Sequence, residues 1–322
     1  MLTRRHLIAL SAASALVPES GGAWAQAWPS HTVHMIVPIA AGGPNDTCAR
    51  ILAEQLSTIW GQQVVVDNKP GAGTNIGNEF VAHADPDGYT VLFGTGSLGV
   101  NAILYHSLNY DPVNDFAPVS SVATLPFFMF VPNSSPAKSV PEFIANVKAH
   151  PQKLIMGSPG AGSAPHLAEV LFMEMAKIQM VHAPYRGAAP AFTDLIPGRI
   201  DCYFGSGELL QYWRSGQVRA LATTGPTRAE VAPELPTIGE TVPGYEVLSW
   251  QGVFLPAKTP SAIVEKMSAD VTAALNVPAV KTKLQNMGYA AAGSTPKQLA
   301  ILLRTEIDKW TAIIKAAGLQ IE

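Results

Sequence analysis

Three short stretches combine glycine with small polar residues in a way that could hold an anion. They are Ala41-Gly42-Gly43-Pro44-Asn45-Asp46, Gly71-Ala72-Gly73-Thr74-Asn75, and Ser158-Pro159-Gly160-Ala161-Gly162-Ser163 followed by Ala164-Pro165-His166. Each lies between a β-branched or apolar run and a helical pattern, so each is expected to end at a helix start. A helix start presents backbone N–H groups without intrahelical acceptors and carries a partial positive charge. Glycine lets the backbone approach a bound group closely and take positive φ without a Cβ penalty. Pro44 suits the first helical position because it has no N–H to lose, which puts Asp46 third. Ser163 suits an N-cap with Pro165 and His166 in the first turn, and the middle loop offers Thr74 or Asn75.

What these loops lack sets their chemistry. Residues 40–47, 71–77 and 157–166 contain no Lys or Arg, so an anion held there meets only neutral dipoles and hydroxyls. Charge-assisted hydrogen bonds contribute roughly 1.5–3 kcal/mol each. Micromolar affinity needs about −8 kcal/mol net of the association cost, so about four to six such bonds suffice without a metal or cofactor. The candidate substrate-binding residues are therefore Ala41, Gly42, Gly43, Asn45, Asp46 and Asn75, then Thr95 and Ser97 after a third strand-like run, and Ser158, Gly162, Ser163 and His166. Tyr185 and Ser206 complete the set. Asp46 is open between two roles, helix cap or ligand contact, since a carboxylate would repel a bound acid.

Catalytic and metal chemistry find little support. The sequence has no G-x-S-x-G elbow, Walker P-loop or kinase signature. Ser158, Ser163 and His166 could suggest a nucleophile and base, but no acidic orienter stands beside them, and no enzyme activity is expected. The eight histidines form no H-E-x-x-H, and His31-x-x-His34 in a strand would face opposite ways. Cys48 and Cys202, the two cysteines, give no disulfide framework and read as buried small residues.

The loops must be positioned by the elements around them. With 48% hydrophobic against 14% charged residues over 322 positions, the chain has ample core material and enough length for two lobes. A net charge of −3 without blocks of like charge argues against nucleic acid. Residues 1–25 carry Arg4-Arg5, an apolar run from Leu7 to Val17, and Ala23-Trp24-Ala25, the small-x-small pattern of a cleaved signal peptide. As a helix that run rises roughly 16 Å against a hydrocarbon core of about 30 Å, so export without membrane insertion is expected. The paired arginines fit the general and the twin-arginine routes alike.

Beyond residue 26, strand-like runs (Val33–Pro38, Val64–Val66, Thr90–Gly94) alternate with helical patterns, and a second unit starts near Phe127. The expected fold is α/β, two lobes facing one another across a cleft, with largely parallel sheets flanked by helices. Residues 26–125 with 251–322 form lobe one and 126–250 lobe two. Tyr245 to Leu255 suits a segment crossing between them, followed by three helices packing back on lobe one. Ligands in such sheets bind where strands end in helix-leading loops, which places the three loops around one cleft.

Several of these residues also carry a resemblance. Val37-Pro38 through Ala41-Gly42-Gly43-Pro44-Asn45-Asp46, Asp67-Asn68-Lys69-Pro70-Gly71-Ala72-Gly73, and Pro86-Asp87-Gly88-Tyr89-Thr90 resemble the tripartite tricarboxylate transporter substrate-binding family, also called Bug-type receptors. Tyr110-Asp111-Pro112, His182-Ala183-Pro184-Tyr185-Arg186-Gly187 and Leu235-Pro236-Thr237 extend the match across about residues 28–320. The resemblance implies a two-lobed periplasmic binding protein of the type II-like flytrap kind, a monomeric receptor that captures organic acids for inner-membrane transporter subunits. It also implies that Ala41 to Asp46 hold one carboxylate, often with waters, while Ser158 to Ser163 with His166 close over it. The alternative is a sensor that binds the same acids and reports to a two-component signalling system. Ile39 departs from the aromatic residue common in the family, and Gly205-Ser206 stand where many relatives carry an acid. That second departure suggests a ligand whose far end is apolar or a second carboxylate, not an ammonium.

The signal-peptide reading predicts that the exported protein begins at or near Gln26. Intact-mass measurement of periplasmic protein checks this, and a mass that retains residues 1–25 would contradict it.

Overall fold

The computed structural model describes residues 28–318, so the signal-peptide reading lies outside the described residues. Two mixed sheets flanked by helices form a two-lobed α/β fold. The first sheet starts with β1 (Val33–Val37), β2 (Val64–Asn68) and β3 (Thr90–Thr95), with β1 central and parallel to both neighbours. From Met35 on, β1 is apolar on both faces, whereas His34 is exposed. Val33, Met35 and Val37 pack with Cys48, Leu52 and Leu56 of α1 (Pro44–Trp60), while Ile36 packs on the opposite side with Leu92, Leu98 and Phe254. A strand covered on both faces reads as a continuous hydrophobic run, which is why it was legible. α2 (Asn75–Ala82) returns the chain to β3. It buries Gly77, Asn78 and Val81, whereas Ile76 and Phe80 point to solvent.

The chain continues through α3 (Ser97–Leu104) and β4 (Phe116–Pro126), and β4 runs on almost without a break into β5 (Phe128–Pro132) of the second sheet. There, α4 (Val140–Ala149), β6 (Ile155–Ser158), α5 (Ala164–Ala176), β7 (Val181–Pro184), α6 (Ala188–Leu195), β8 (Cys202–Gly205), α7 (Leu210–Arg214) and β9 (Val218–Thr223) give strand order β7-β6-β8-β5-β9. β10 (Leu248–Pro256) carries the chain back, inserts antiparallel between β3 and β4, and with β11 (Ala290–Ala291) completes the order β11-β4-β10-β3-β1-β2.

The sheets are thus mixed where largely parallel ones were expected. β6 is parallel to β7 and β8, but β5 is antiparallel to β8 and β9. The cause is connectivity. Parallel neighbours need a crossover of a dozen or more residues, whereas β4 and β10 pass directly between lobes and enter each sheet against the local direction. Thr224 joins the two passages. Its N–H donates to Phe127 O (2.9 Å), and its hydroxyl accepts from Phe127 N (2.8 Å) and donates to Val247 O (2.7 Å).

α3 and β4 have no counterpart in the sequence reading. α3 is apolar nearly all round, with Gly99 close against Leu303 and Ile307, so it lacks an amphipathic period. β4 contains Pro118, tolerated because its register with β10 shifts between Val253 and Phe254. α8 (Ser261–Asn276) and α9 (Pro278–Asn286) pack back on α1, and α8 also on β4. α10 (Pro296–Ala317), opened by a capping box at Thr295, packs on α3 and β4, and its Trp310 and Ile314 also join the second lobe's core.

Cys48 and Cys202 are fully buried free thiols in the cores of different sheets. Burial pushes the Cys48 thiol up to about 12 and raises that of Cys202 as well. A thiol reagent at neutral pH should therefore find no reactive group in the native protein and two per chain in denaturant. Rapid labelling of the native protein, or fewer than two thiols after unfolding, would contradict this placement.

Candidate functional site

Between the lobes lies a cavity of about 580 Å³. Its walls come from the β1–α1 loop, the segment before α2, the start of α3, the β6–α5 loop, the entry of β10, and α10. Of the sequence-predicted residues, Asn45, Thr95, Ser97, Gly162 and Ser163 line it. No lining residue is Lys or Arg.

Asp46 sits beneath the first loop. It is 2% exposed, and its carboxylate accepts from Gly42 N (2.9 Å), Arg50 Nε (3.0 Å) and Asn68 Nδ2 (2.9 Å). Burial works to raise its pKa, but the Arg50 bond, the Gly42 amide and Asn68 outweigh that and hold it below the ordinary value. With its oxygens engaged inside the protein, Asp46 ties the loop down and does not line the cavity. Gly42 takes φ +87°, where side-chain-bearing residues are strained, whereas Gly43 has φ −80° as the N-cap. Ala41, Gly42 and Gly43 lie outside the lining, on its rim. Within the helix's first turn Pro44 has no N–H, so the orphan backbone donors are those of Asn45 and Asp46.

A second polar cluster supports the cavity floor. Thr74 Oγ1 accepts from Asn78 Nδ2 (3.2 Å) and lies 3.0 Å from Ser97 Oγ, while Asn101 Nδ2 gives its hydrogens to Asn75 Oδ1 (2.6 Å) and Gly73 O (2.7 Å). Ser97 lies 2.7 Å from Thr95 Oγ1. The Thr74, Ser97 and Thr95 hydroxyls thus form one hydrogen-bonded line whose members all border the cavity. Asn75 is below the lining, its Oδ1 taken by Tyr110 OH (2.8 Å) and Asn101 Nδ2 (2.6 Å).

In the opposite lobe, Ser163 caps α5 by position, but its hydroxyl donates to Gly160 O at 2.7 Å. Its hydrogen is therefore already engaged. His166 is 2% exposed and accepts the Gly162 N–H on Nδ1 at 3.0 Å, which fixes the loop and leaves the neutral ring's proton on Nε2. Its ring stacks on His182 with centroids 3.9 Å apart. Ser158 Oγ lies 2.7 Å from His182 Nε2, yet Ser158 is fully buried, so this pair cannot meet a substrate. Tyr185 donates to Asp194 (2.9 Å) and Ser206 to Glu208 (2.7 Å), and neither lines the cavity. The free donors at this end are the Ala164 and His166 N–H groups in the first turn of α5, since Pro165 has none.

Sequence reading missed several wall residues: Asn101, Ser249, Trp250, Glu306 and Trp310. Trp250 Nε1 is buried without a partner. Glu306 is the one lining residue with a carboxylate, which accepts from Trp310 Nε1 at 2.8 Å. These residues come from β10, α3 and α10, where no loop motif marks them. A polar or charged residue within an otherwise apolar helical pattern was the available signal.

The profile described as tripartite tricarboxylate transporter family receptor matches residues 48–319. A UPF0065 protein from a tcbD-tcbE intergenic region of Pseudomonas sp. (strain P51) is 37% identical over 314 residues, covering 97% of this chain and 94% of the relative. Among solved structures, R. palustris Rpa4515 with adipate is 35% identical with a TM-score of 0.80, covering 91% of this chain and 99% of that one. MatC (Rpa3494) from Rhodopseudomonas palustris with bound malate is 32% identical with a TM-score of 0.75, covering 89% and 99%.

The His166 site makes stability depend on pH. Burial first, and the neighbouring His182 second, push His166 down to about 4, against about 6.5 in an unfolded chain. Between those values the unfolded chain binds a proton that the folded one excludes. The contribution is complete above about pH 6.5 and falls by up to roughly 3 kcal/mol as the pH drops to about 4. His166→Asn keeps an acceptor for Gly162 and should lose much of this dependence. Urea unfolding at pH 7 and 4.5 checks it, and an unchanged pH effect in the variant would contradict it.

Proposed function

The chain belongs to the tripartite tricarboxylate transporter receptor family, and from that premise we propose that it captures a small organic acid and delivers it to a membrane carrier. The family's receptors are periplasmic binding proteins, and the chain is a carboxylate-binding receptor of that kind, not an enzyme. Delivery to transporter subunits, export with removal of residues 1–25, monomeric state and lobe boundaries (26–125 with 251–322; 126–250) are part of the proposal.

The observation that carries it is the cavity whose polar lining supplies neutral donors and no cationic side chain. Two helix starts from different lobes, α1 and α5, contribute to its wall through Asn45 and through Ser163 to Pro165. An acid bridging them would favour the closed arrangement by bonding to both lobes at once. Backbone N–H groups at helix starts favour anions by dipole as well as by hydrogen bond.

The body of the ligand is set by the remaining wall. Val100, Leu104, Leu167, Val247, Trp250 and Trp310 make it largely apolar. The case against an ammonium that rested on Ser206 does not apply, because Ser206 is outside the lining. Half-buried Glu306, with Lys309 Nζ 3.8 Å from its carboxylate, instead weighs against a second carboxylate near α10, since like charges placed close together raise each other's cost. The ligand proposed is therefore a small acid with one carboxylate at the loops and an apolar body. Bonds of about 1.5–3 kcal/mol each from donors at the lining, the Asn45 and Ala164 N–H groups and the Ser97–Thr95 hydroxyls, contribute toward micromolar affinity.

A thermal-shift screen of the processed protein with hexanoate, benzoate, adipate, succinate, malate, citrate, aspartate and glutamate tests this. At least one non-amino acid should stabilise more than aspartate and glutamate at equal concentration, following RT ln(1 + [L]/Kd). No stabilisation by any acid, or the largest by an acidic amino acid, would contradict the proposal.

A further inference from the structure

The Asn45 side-chain amide has two ends, and the protein's own contacts engage one of them. Its Oδ1 accepts from Gln251 Nε2 at 3.0 Å and from the Tyr289 hydroxyl at 3.0 Å. Both donors arrive from distant parts of the chain, Gln251 from the middle of β10 and Tyr289 from the turn between α9 and β11. Both are buried, at 0% and 2% exposure, and neither lines the cavity, whereas Asn45 is half-buried and does. With the oxygen occupied by two donors, the Nδ2 hydrogens have no acceptor among the described residues.

We infer that Asn45 is the side-chain donor that meets the ligand's carboxylate, and that Gln251 and Tyr289 are positioning residues that fix which end of its amide faces the cavity. The inference rests on the carboxylate-receptor reading above. Asn45 is the second residue of α1, so its backbone N–H has no intrahelical acceptor either. One residue thereby offers a backbone and a side-chain N–H, and the two oxygens of a carboxylate can take them together. An unanchored asparagine could equally present its oxygen, which would repel the acid. In the observed arrangement Gln251 and Tyr289 both donate to Oδ1, so Nδ2 is the end left for the ligand and the amide needs no reorganisation on binding. Because Gln251 lies on the strand that passes between lobes, the donor is set by the same element that links them.

Calorimetric titration of the processed protein with adipate, malate and benzoate, each separately, tests the inference. Asn45→Asp is nearly isosteric and retains acceptors for Gln251 and Tyr289, but it puts an oxygen where the NH2 stood. It should weaken binding by at least about 100-fold while the unliganded melting temperature stays close to wild type. Tyr289→Phe should weaken binding by about 3- to 10-fold in the wild-type background and have no further effect in an Asn45→Ala background, because it acts through Asn45. Wild-type affinity in Asn45→Asp would overturn the assignment of Asn45. A Tyr289→Phe effect of equal size in both backgrounds would overturn the positioning role. Wild-type protein that binds none of the three acids would remove the receptor reading itself, an outcome distinct from failure of the variants alone.

Discussion

Holding a carboxylate away from water without a cationic side chain is the constraint on which the site depends. A lysine or arginine can attract an acid from several directions, but a neutral N–H or O–H helps only when it points at the anion. Each such bond contributes a few kcal/mol at most, so several must be aimed in advance. The buried polar network beneath the cavity does this. Asp46 clamps Gly42, His166 clamps Gly162, and Asn78 holds Thr74 in the hydroxyl line that includes Ser97 and Thr95. Charge is present in this support, as the Asp46–Arg50 pair, but it faces away from the lining.

The architecture follows from bringing two such sets of donors together. Each lobe ends a helix at the cavity, and the strands that pass between lobes are also members of the sheets. Thr224 bonds both passages and so ties them at one buried node. α10 adds a second tie, since Trp310 and Ile314 reach the core of the second lobe from a helix seated mainly on the first. The mixed sheets are the topological consequence of direct passage, and the antiparallel insertion of β10 is what carries Gln251 beneath Asn45.

Much of this was legible in the chain because the relevant signals are local. Proline after Gly-Gly marks the start of α1, a β-branched run marks β1, and a capping serine marks α5. From these the loops could be named, and Asn45, Thr95, Ser97, Gly162 and Ser163 do line the cavity. Local signals cannot say which way a side chain is turned. Asp46, Ser158, Asn75 and His166 have the right chemistry at the right positions, yet their polar atoms are engaged within the protein. Trp250, Glu306, Trp310 and Asn101 could not be found because they reach the cavity through contacts across the fold, from elements with no loop motif. α3 escaped for a related reason: a helix buried nearly all round has no period to read.

A crystal structure of the processed protein with a bound acid tests the arrangement most directly. One carboxylate should lie within about 3 Å of Asn45 Nδ2 and of helix-start N–H groups from both α1 and α5, with no lysine, arginine or metal in contact with it. A carboxylate held instead by a cationic side chain or a metal, or bound to one lobe only, would contradict the claim that oriented neutral donors from two lobes capture the ligand.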